Sequence, residues 1–496
     1  MGVKRKRTTT TKEDRLSSLP NDILIVILSR LQFQSAVVTE TLSRRWRGLW
    51  KNATSVHINN PTSDLISSFI SQFKSPVVDS FVVEFECKFN YLTGGLNWPN
   101  SMDSLLRVIC DRNVRELSIR RNNCLSLFRK FQSFIFQTRS LVSLELCSTR
   151  NLDNTTRIDL PNLKNLKLNH SPSLYGWLGT LIKTCPSLEE LVLVCDVDDI
   201  YLRDLGSGYY FKCSNQNLRR LHIHSSCITN SKFVINTPKL EYLDVRAQNP
   251  VTYFFEEEPL GLLDAKIIMY DFYPPLTKDE KTIISKFYET IRNVRSLKLD
   301  FRFVLYNMPI VFRNATRVTL DMKMAYHINF VLSLIDLCPV LDVLTLNFKN
   351  ICKKPRISQT SDDVSTSARV IRRVEIETCW DTYNKPTETF IQLVEYLLSG
   401  VIDLKQFRFS VGGGKDDPNK SERYKRSRES DLCKLICKCP MVSMGCEVEF
   451  KGRYLKMFGK TSPKAWKLNG EEVMAKSLNK ENYGIDEHIL SVVCTN

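Results

Sequence analysis

Long hydrophobic runs are missing from the N-terminal region of this sequence. The longest unbroken aliphatic stretch there is Ile23–Leu28, far short of the roughly 20 apolar residues that span a bilayer. The first residues, MGVKRKRTTTT, hold no apolar core, so no secretory signal is expected there. Lys6 stands where a myristoylation pattern needs Ser or Thr, and no membrane association is expected. Catalytic signatures are missing as well. G-x-x-x-x-G-K-[ST], H-E-x-x-H and G-x-S-x-G do not occur. The triplet Gly412-Gly413-Gly414 has no Lys-Ser/Thr after it and reads as a linker. Cys433, Cys437 and Cys439 have no second Cys or His pair at zinc-ligand spacing, so neither a metal nor another cofactor is expected. The 16 cysteines are scattered through apolar periodic segments, which suits reduced core thiols and excludes a disulfide framework. The chain reads as a non-enzyme.

What the chain has in excess is positive charge, +16 over 496 residues, in an otherwise ordinary globular composition. That length fits either two to four domains or one repeat array. The basic cluster Lys4, Arg5, Lys6 and Arg7 is a nuclear-import candidate or a solvated tip. A second basic patch, Lys420 to Arg428, is interrupted by Glu422. Elsewhere Lys and Arg are mixed with acids, and no aromatic-basic or finger signature accompanies them. Basicity here implies solubility and weak attraction to anions, and specific nucleic-acid binding is not expected. The expected location is the nucleus, the cytoplasm or both.

Residues 14–58 form the most informative stretch. Pro20 sits where helices start and Asp22 falls in the favourable first turn. Ile23, Leu24, Ile27, Leu28 and Leu31 recur at helical spacing, while Ile25 and Val26 fill the other face. A helix apolar nearly all round must be covered from two sides. A second short helix is expected over about Ser35 to Leu42. Ser43 is a cap candidate for a third that carries Trp46, Leu49 and Trp50. Three helices in so short a segment bury too little surface to stand alone, and so call for a partner.

LSSLPNDILIVILSRL followed by LSRRWRGLW resembles an F-box, in the form found in plant F-box proteins with leucine-rich repeats. The resemblance implies docking onto the Skp adaptor of a cullin–RING ubiquitin ligase, with the remaining chain holding a protein substrate. It implies paired cores made from Leu19, Pro20, Ile23, Leu24, Ile27, Leu28, Leu31, Val37, Val38, Leu42, Ser43, Arg45, Trp46, Leu49 and Trp50. Some of these would face the adaptor and some the interior. Truncating Leu24 and Trp46 together is expected to abolish docking while sparing the rest of the chain. Catalysis would belong to the other ligase subunits, with this one supplying proximity and orientation.

From about residue 50 an L-x-x-L-x-L theme recurs. Its clear copies begin at Leu141, Leu163, Leu188, Leu218, Leu240, Val294, Leu341 and Ile371, with weaker ones at Ala53, Val78, Val114, Leu262, Ala315 and Leu404. The starts lie about 21 to 36 residues apart, the loose end of the leucine-rich-repeat range. Pro161, Pro186, Pro238 and Pro339 stand just before a copy, which reads as loop then strand with apolar positions inward. Asn122, Thr149, Ser171, Asp196, Ser226 and Gln248 each place an acceptor oxygen three residues past the last apolar position, where stacked repeats need one. Helical patterns precede Cys185 and Cys338.

The expected fold is therefore α/β. A three-helix F-box (14–60) follows a disordered basic N-terminus (1–13). A leucine-rich-repeat solenoid, a curved parallel sheet with outer helices, covers 61–360. Residues 361–450 resemble the FBD module of plant F-box proteins, with Phe390, Leu393, Val394, Leu397 and Leu398 on one helical face. A flexible loop is expected at about 411–430, and a partly disordered tail over 451–496.

Outward strand positions are the expected target contacts: Glu116, Ser143, Glu145, Asn165, Lys167, Glu190, Arg220, His222, Tyr242, Asp244, Lys298 and Arg373. His222 and His224, with Asp244 one repeat on, could bind a metal or sense pH, though ordinary surface histidines look the same. Two rival functions remain at this point. One is a nuclear repeat scaffold that binds protein or nucleic acid without ligase activity. The other is a small-molecule receptor, for which the sequence displays no convergent polar pocket.

Overall fold

The computed structural model describes residues 16, 18–86, 101–122, 132–149, 157–170, 175–195, 210–225, 232–247, 252–269, 278–300, 310–322, 328–348, 369–379, 388–412, 421–439, 442–443 and 445–460. The Lys4–Arg7 cluster, Ser171, Asp196, Ser226, Gln248 and the last part of the tail lie outside them. The chain divides into two compact units, Met1–Lys239 and Leu240–Asn496.

Unit 1 opens with helices α1 (Asn21–Leu28) and α2 (Phe33–Val38). Strands β1 (Ser55–Asn59), β2 (Ser80–Glu86), β3 (Glu116–Asn122), β4 (Ser143–Thr149), β5 (Asn165–His170), β6 (Glu190–Cys195), β7 (Tyr210–Ser214), β8 (Arg220–Ser225) and β9 (Lys232–Asn236) follow. Helices α3 (Ser63–Gln72), α4 (Met102–Cys110) and α5 (Tyr175–Thr184) connect them. β1-β2-β3-β4-β5-β6-β8 form one parallel sheet, and β7 pairs with β9 apart from it.

Unit 2 contains β10 (Tyr242–Ala247), β11 (Thr252–Phe255), β12 (Asp264–Met269), β13 (Ser296–Asp300), β14 (Arg317–Met322), β15 (Val343–Phe348), β16 (Arg369–Val370), β17 (Arg373–Cys379), β18 (Val401–Ile402), β19 (Gln406–Gly412), β20 (Glu447–Lys451) and β21 (Lys456–Lys460). Its helices are α6 (Lys278–Thr290), α7 (Ile328–Asp336), α8 (Glu388–Ser399) and α9 (Glu422–Cys437). The sheet runs β10-β12-β13-β14-β15-β17-β19-β20 in parallel, and β21 closes it antiparallel to β20. β16 and β18 pair separately.

The F-box-like helices followed by long parallel β-sheet with connecting helices are the architecture of a leucine-rich-repeat α/β solenoid. All fourteen copies of the sequence theme lead into strands of the two main sheets. Within each copy the last two apolar residues point inward, as Leu191 and Leu193 do on β6, and the residues between them face out. The connecting helices cover the inward face. Phe69 of α3 stands 6.4 Å from Phe81 of β2, and Phe390 of α8 meets Phe348 edge-on at 5.3 Å. Phe390, Leu393, Val394, Leu397 and Leu398 are all buried, so the amphipathic face read from sequence is the packed face of α8.

Strand starts are set by backbone rather than side chains. The carbonyl just before one strand accepts two N–H groups from the next repeat: Lys164 accepts from Glu189 and Glu190, and Asp342 accepts from Arg372 and Arg373. Side chains at these positions are thereby free to point to solvent.

Three expectations need correction. No α-helix spans Ser43–Trp50. Two 3-10 turns, Arg44–Trp46 and Leu49–Asn52, stand there, separated by Gly48 at φ 73°, and the Ser43 side chain caps neither. At the two ends of the loop expected at about 411–430, residues 411–412 are strand and helix runs from 422 on, while 413–420 lie outside the described residues. Ser421 Oγ accepts from Tyr424 N at 3.3 Å to cap α9, which carries most of the Lys420–Arg428 patch and buries Lys425. Part of the expected disordered tail is ordered as β21. Among the described residues no helix is long and apolar enough to cross a membrane.

Candidate functional site

The N-terminal segment separates cleanly into interior and surface. Leu24 and Leu28, four apart on α1, are fully covered, and Phe33, Ala36, Trp46, Leu49 and Trp50 are buried as well. Phe33 meets Trp50 edge-on at 5.1 Å and Phe69 at 5.2 Å, joining this core to the first repeat. Gln34 Nε2 donates to the Asn59 carbonyl at 2.8 Å and adds a polar tie to β1. Arg45 closes the front: its guanidinium donates to the Leu19 carbonyl and, at 3.2 Å, to Asn21 Oδ1.

The opposite face is apolar and uncovered. Leu42 is 65% exposed, Val38 64%, Leu16 54%, Val26 50%, Ile23 46% and Leu31 36%. Six large apolar side chains within 27 residues are open to solvent, a higher density than the scattered exposure normal on a protein surface. Among the residues drawn from the resemblance, Ile23, Leu31, Val38 and Leu42 lie on this face, whereas Leu24, Leu28, Trp46, Leu49 and Trp50 are interior. Leu19, Ile27, Val37, Ser43 and Arg45 are intermediate, and Pro20 is exposed as the residue preceding α1. Leu24 and Trp46, whose joint truncation is expected to abolish docking, are both buried, so that truncation acts on the core. Sequence reading left out Phe33, which starts α2 two residues earlier than expected, and did not place Val26 and Leu16 on the open face. The i, i+3 spacing of Ile23 and Val26 was the available signal for the latter.

On the open face of the unit 1 sheet, side chains of five successive strands join in one charge ladder. Glu84 lies 3.4 Å from His57 and 3.4 Å from Arg120. Arg120 reaches Glu145 at 2.7 Å, and Lys167 reaches the same carboxylate at 2.6 Å. Burial pushes Glu145 upward, but Lys167, Ser118 and Arg120 outweigh it and hold the carboxyl at about 2. Further on, Glu190 stands 3.2 Å from His222 and 3.7 Å from Arg220. In unit 2 Asp244 is nearly inaccessible, paired with Arg246 at 2.9 Å and Lys266 at 3.2 Å, so it does not serve as an open contact. Lys298 pairs with Asp321 at 3.0 Å. Glu116, Asn165, Lys167, Arg220 and Arg373 are exposed, while Ser143, Tyr242 and Lys298 are half-buried. Burial raises the thiols of Cys185, Cys213 and Cys338 to about 12, so they are packing groups and not nucleophiles.

An F-box domain matches residues 16–56, the segment that carries both the buried core and the open apolar patch. The leucine-rich repeats of FBD-associated F-box protein At5g56370 match residues 102–254. The F-box/FBD/LRR-repeat protein At5g22660 of Arabidopsis thaliana is 26% identical over 424 residues, covering 80% of this chain and 89% of that protein. The chain is thus similar to plant F-box/FBD/LRR-repeat proteins. Two further Arabidopsis thaliana relatives agree. F-box/LRR-repeat protein At1g55660 is 29% identical over 58% of this chain and 80% of its own length. F-box/FBD/LRR-repeat protein At2g04230 is 28% identical over 53% and 59%. The open patch is therefore a face of the F-box, and the charge ladder is the outward face of its leucine-rich repeats.

Proposed function

We propose that this chain is the substrate-recognition subunit of an SCF-type ubiquitin ligase. Its F-box docks a Skp-type adaptor, through which it joins cullin and RING subunits, and its repeats hold a protein target for ubiquitination. The chain's own part is non-catalytic and consists of holding the target in reach. One observation carries this reading: the Ile23, Val26, Val38 and Leu42 side chains are exposed on a segment whose interior is already filled. Covering such half-exposed aliphatics would contribute roughly 1 kcal/mol each, enough in sum to favour a permanent partner.

The divisions are proposed as an F-box over 14–60, repeats over 61–360, an FBD-like segment over 361–450 and a tail beyond. Exposed strand positions such as Glu116, Asn165, Arg220 and Arg373 are the proposed target contacts. The proposed location is the nucleus, the cytoplasm or both, with Lys4–Arg7 as the import candidate. Co-expression with a Skp adaptor followed by size-exclusion chromatography tests the reading. A one-to-one complex supports it. A monomer that elutes free of adaptor in its presence refutes it.

A further inference from the structure

The end of the unit 2 sheet where strands begin carries a cationic cleft beside an aliphatic stripe. The cleft, about 490 Å³, is lined by Arg317, Arg372, Arg373 and Lys405, against the carboxylates of Asp342 and Glu447. These cations have little structural duty, because backbone bonds define the strand starts: the Thr316 carbonyl accepts from Asp342 and Val343, and the Arg372 carbonyl accepts from Lys405 and Gln406. The two arginine ion pairs are long, and the lysine pair, though close, is exposed. Arg372 lies 3.6 Å from Asp342, Arg373 lies 4.0 Å from Glu375, and Lys405 is held by Asp403 at 2.5 Å, on a left-handed turn outside the cleft. Such pairs contribute little and exchange readily for a better ligand. Arg317 makes no ion pair among the described residues. Glu447 is already engaged, accepting from Gln406 Nε2 at 3.1 Å.

Val340, Val370, Ile402 and Val442 form the stripe, all roughly half exposed or more. Val370 and Ile402 are register partners in the β16–β18 pair. Val340 precedes Val343 by three residues as Val370 precedes Arg373, and those two strand residues pair. Val442 is fixed next to β18, since its N–H donates to Leu398 at 3.2 Å and the Ser443 hydroxyl donates to Val401 at 3.0 Å. Single exposed aliphatics are ordinary, but four in successive repeats, each two or three residues from a residue that lines the cleft, are not. At one inter-strand spacing per repeat the stripe runs roughly 14 Å, the reach of about four extended residues.

We infer that this rim binds a short linear segment of a partner protein in which apolar residues alternate with Asp or Glu. The apolar side chains lie on the Val370–Ile402 stripe, and the carboxylates enter the cleft, where arginines hold them in paired hydrogen bonds. The inference rests on the ligase reading only in naming that segment part of the target; the binding itself needs no adaptor.

The test is fluorescence anisotropy on the full chain with three labelled peptides: four Leu-Asp repeats, four Leu-Lys repeats and four Gly-Asp repeats. The Leu-Asp peptide is expected to bind at least about tenfold more tightly than either of the others, with affinity falling as salt rises. Arg317→Glu with Arg373→Glu should lose the Leu-Asp peptide and gain the Leu-Lys one, a gain that misfolding cannot mimic. Val370→Ser with Ile402→Ser should weaken Leu-Asp binding by about tenfold without changing Tm. Equal binding of Gly-Asp or of inorganic polyphosphate would reduce the rim to a generic anion site and overturn the inference. So would equal binding of Leu-Lys, or binding of none of them. Adaptor co-elution is measured on the same variants; its retention alongside lost peptide binding, or the reverse, separates this inference from the ligase reading.

Discussion

The indole N–H of Trp50 donates to Glu40 Oε1 at 2.7 Å, and the backbone N–H of Gly48 donates to the same oxygen at 2.8 Å. One carboxylate oxygen thus ties together the irregular turns that replace the expected third helix. Glu40→Ala leaves both donors without this partner and should cost roughly 2 kcal/mol, whereas Trp50→Phe removes one donor and should cost about 1 kcal/mol. Thermal melting of the two variants beside wild type checks the ranking. Equal melting temperatures for all three would show that the tie does not hold the F-box.

Glu145 should make stability depend on acid. Its folded carboxyl lies at about 2 against an ordinary 4.5, so it stabilises the fold above that ordinary range and loses the contribution as pH falls toward 2. Arg120 and Lys167 are about half exposed, and screening reduces what the ladder contributes. Glu145→Gln is therefore expected to lower stability near neutral pH by only about 1–2 kcal/mol. The gap between variant and wild type should close between about pH 4.5 and 2 in a pH series of urea melts. A gap independent of pH would contradict the ladder.

Glu429 and Gly452 make a close approach in unit 2. The buried Glu429 carboxylate accepts from the backbone N–H groups of Arg453 (3.2 Å), Tyr454 (3.0 Å) and Leu455 (2.7 Å). Burial raises this carboxyl, and the three N–H groups only partly offset the rise. A Cβ at position 452 would collide with the carboxylate, so Gly452→Ala should destabilise unit 2 by about 2 kcal/mol or more. Combined with Glu429→Ala, the cost should be less than the sum of the two single changes, because each disrupts the same contact. Additive melting shifts would refute the coupling.

The periodic Leu positions made the solenoid legible, because a strand that buries one face must alternate. Copies beginning at residues as unlike as Ala53 and Ile371 all became strand. What escaped was structure without such alternation. The side pair β7–β9 breaks the theme, and α9 is so rich in Lys, Arg and Glu that its periodicity is swamped until Leu432. In the F-box, apolar identity marked the right residues but not their direction. Ile23 and Leu24 are adjacent and chemically alike, and only the turn of α1 sends one to solvent and the other inward. Exposed charge at strand positions was legible as outward-facing. That Asp244 is locked between Arg246 and Lys266 was not, since its partners come from its own strand and the next.

The most direct measurement compares adaptor binding by Val38→Glu with Leu42→Glu, both on the open F-box face, against wild type and against Trp46→Ala. The exposed pair should lose binding by roughly 100-fold or more while keeping the wild-type Tm, since two charges are placed in an apolar contact. Trp46→Ala should lower stability by about 3–5 kcal/mol, losing binding only as the segment unfolds. Undiminished adaptor binding by the folded Val38→Glu, Leu42→Glu chain would contradict the assignment of this face as the docking surface.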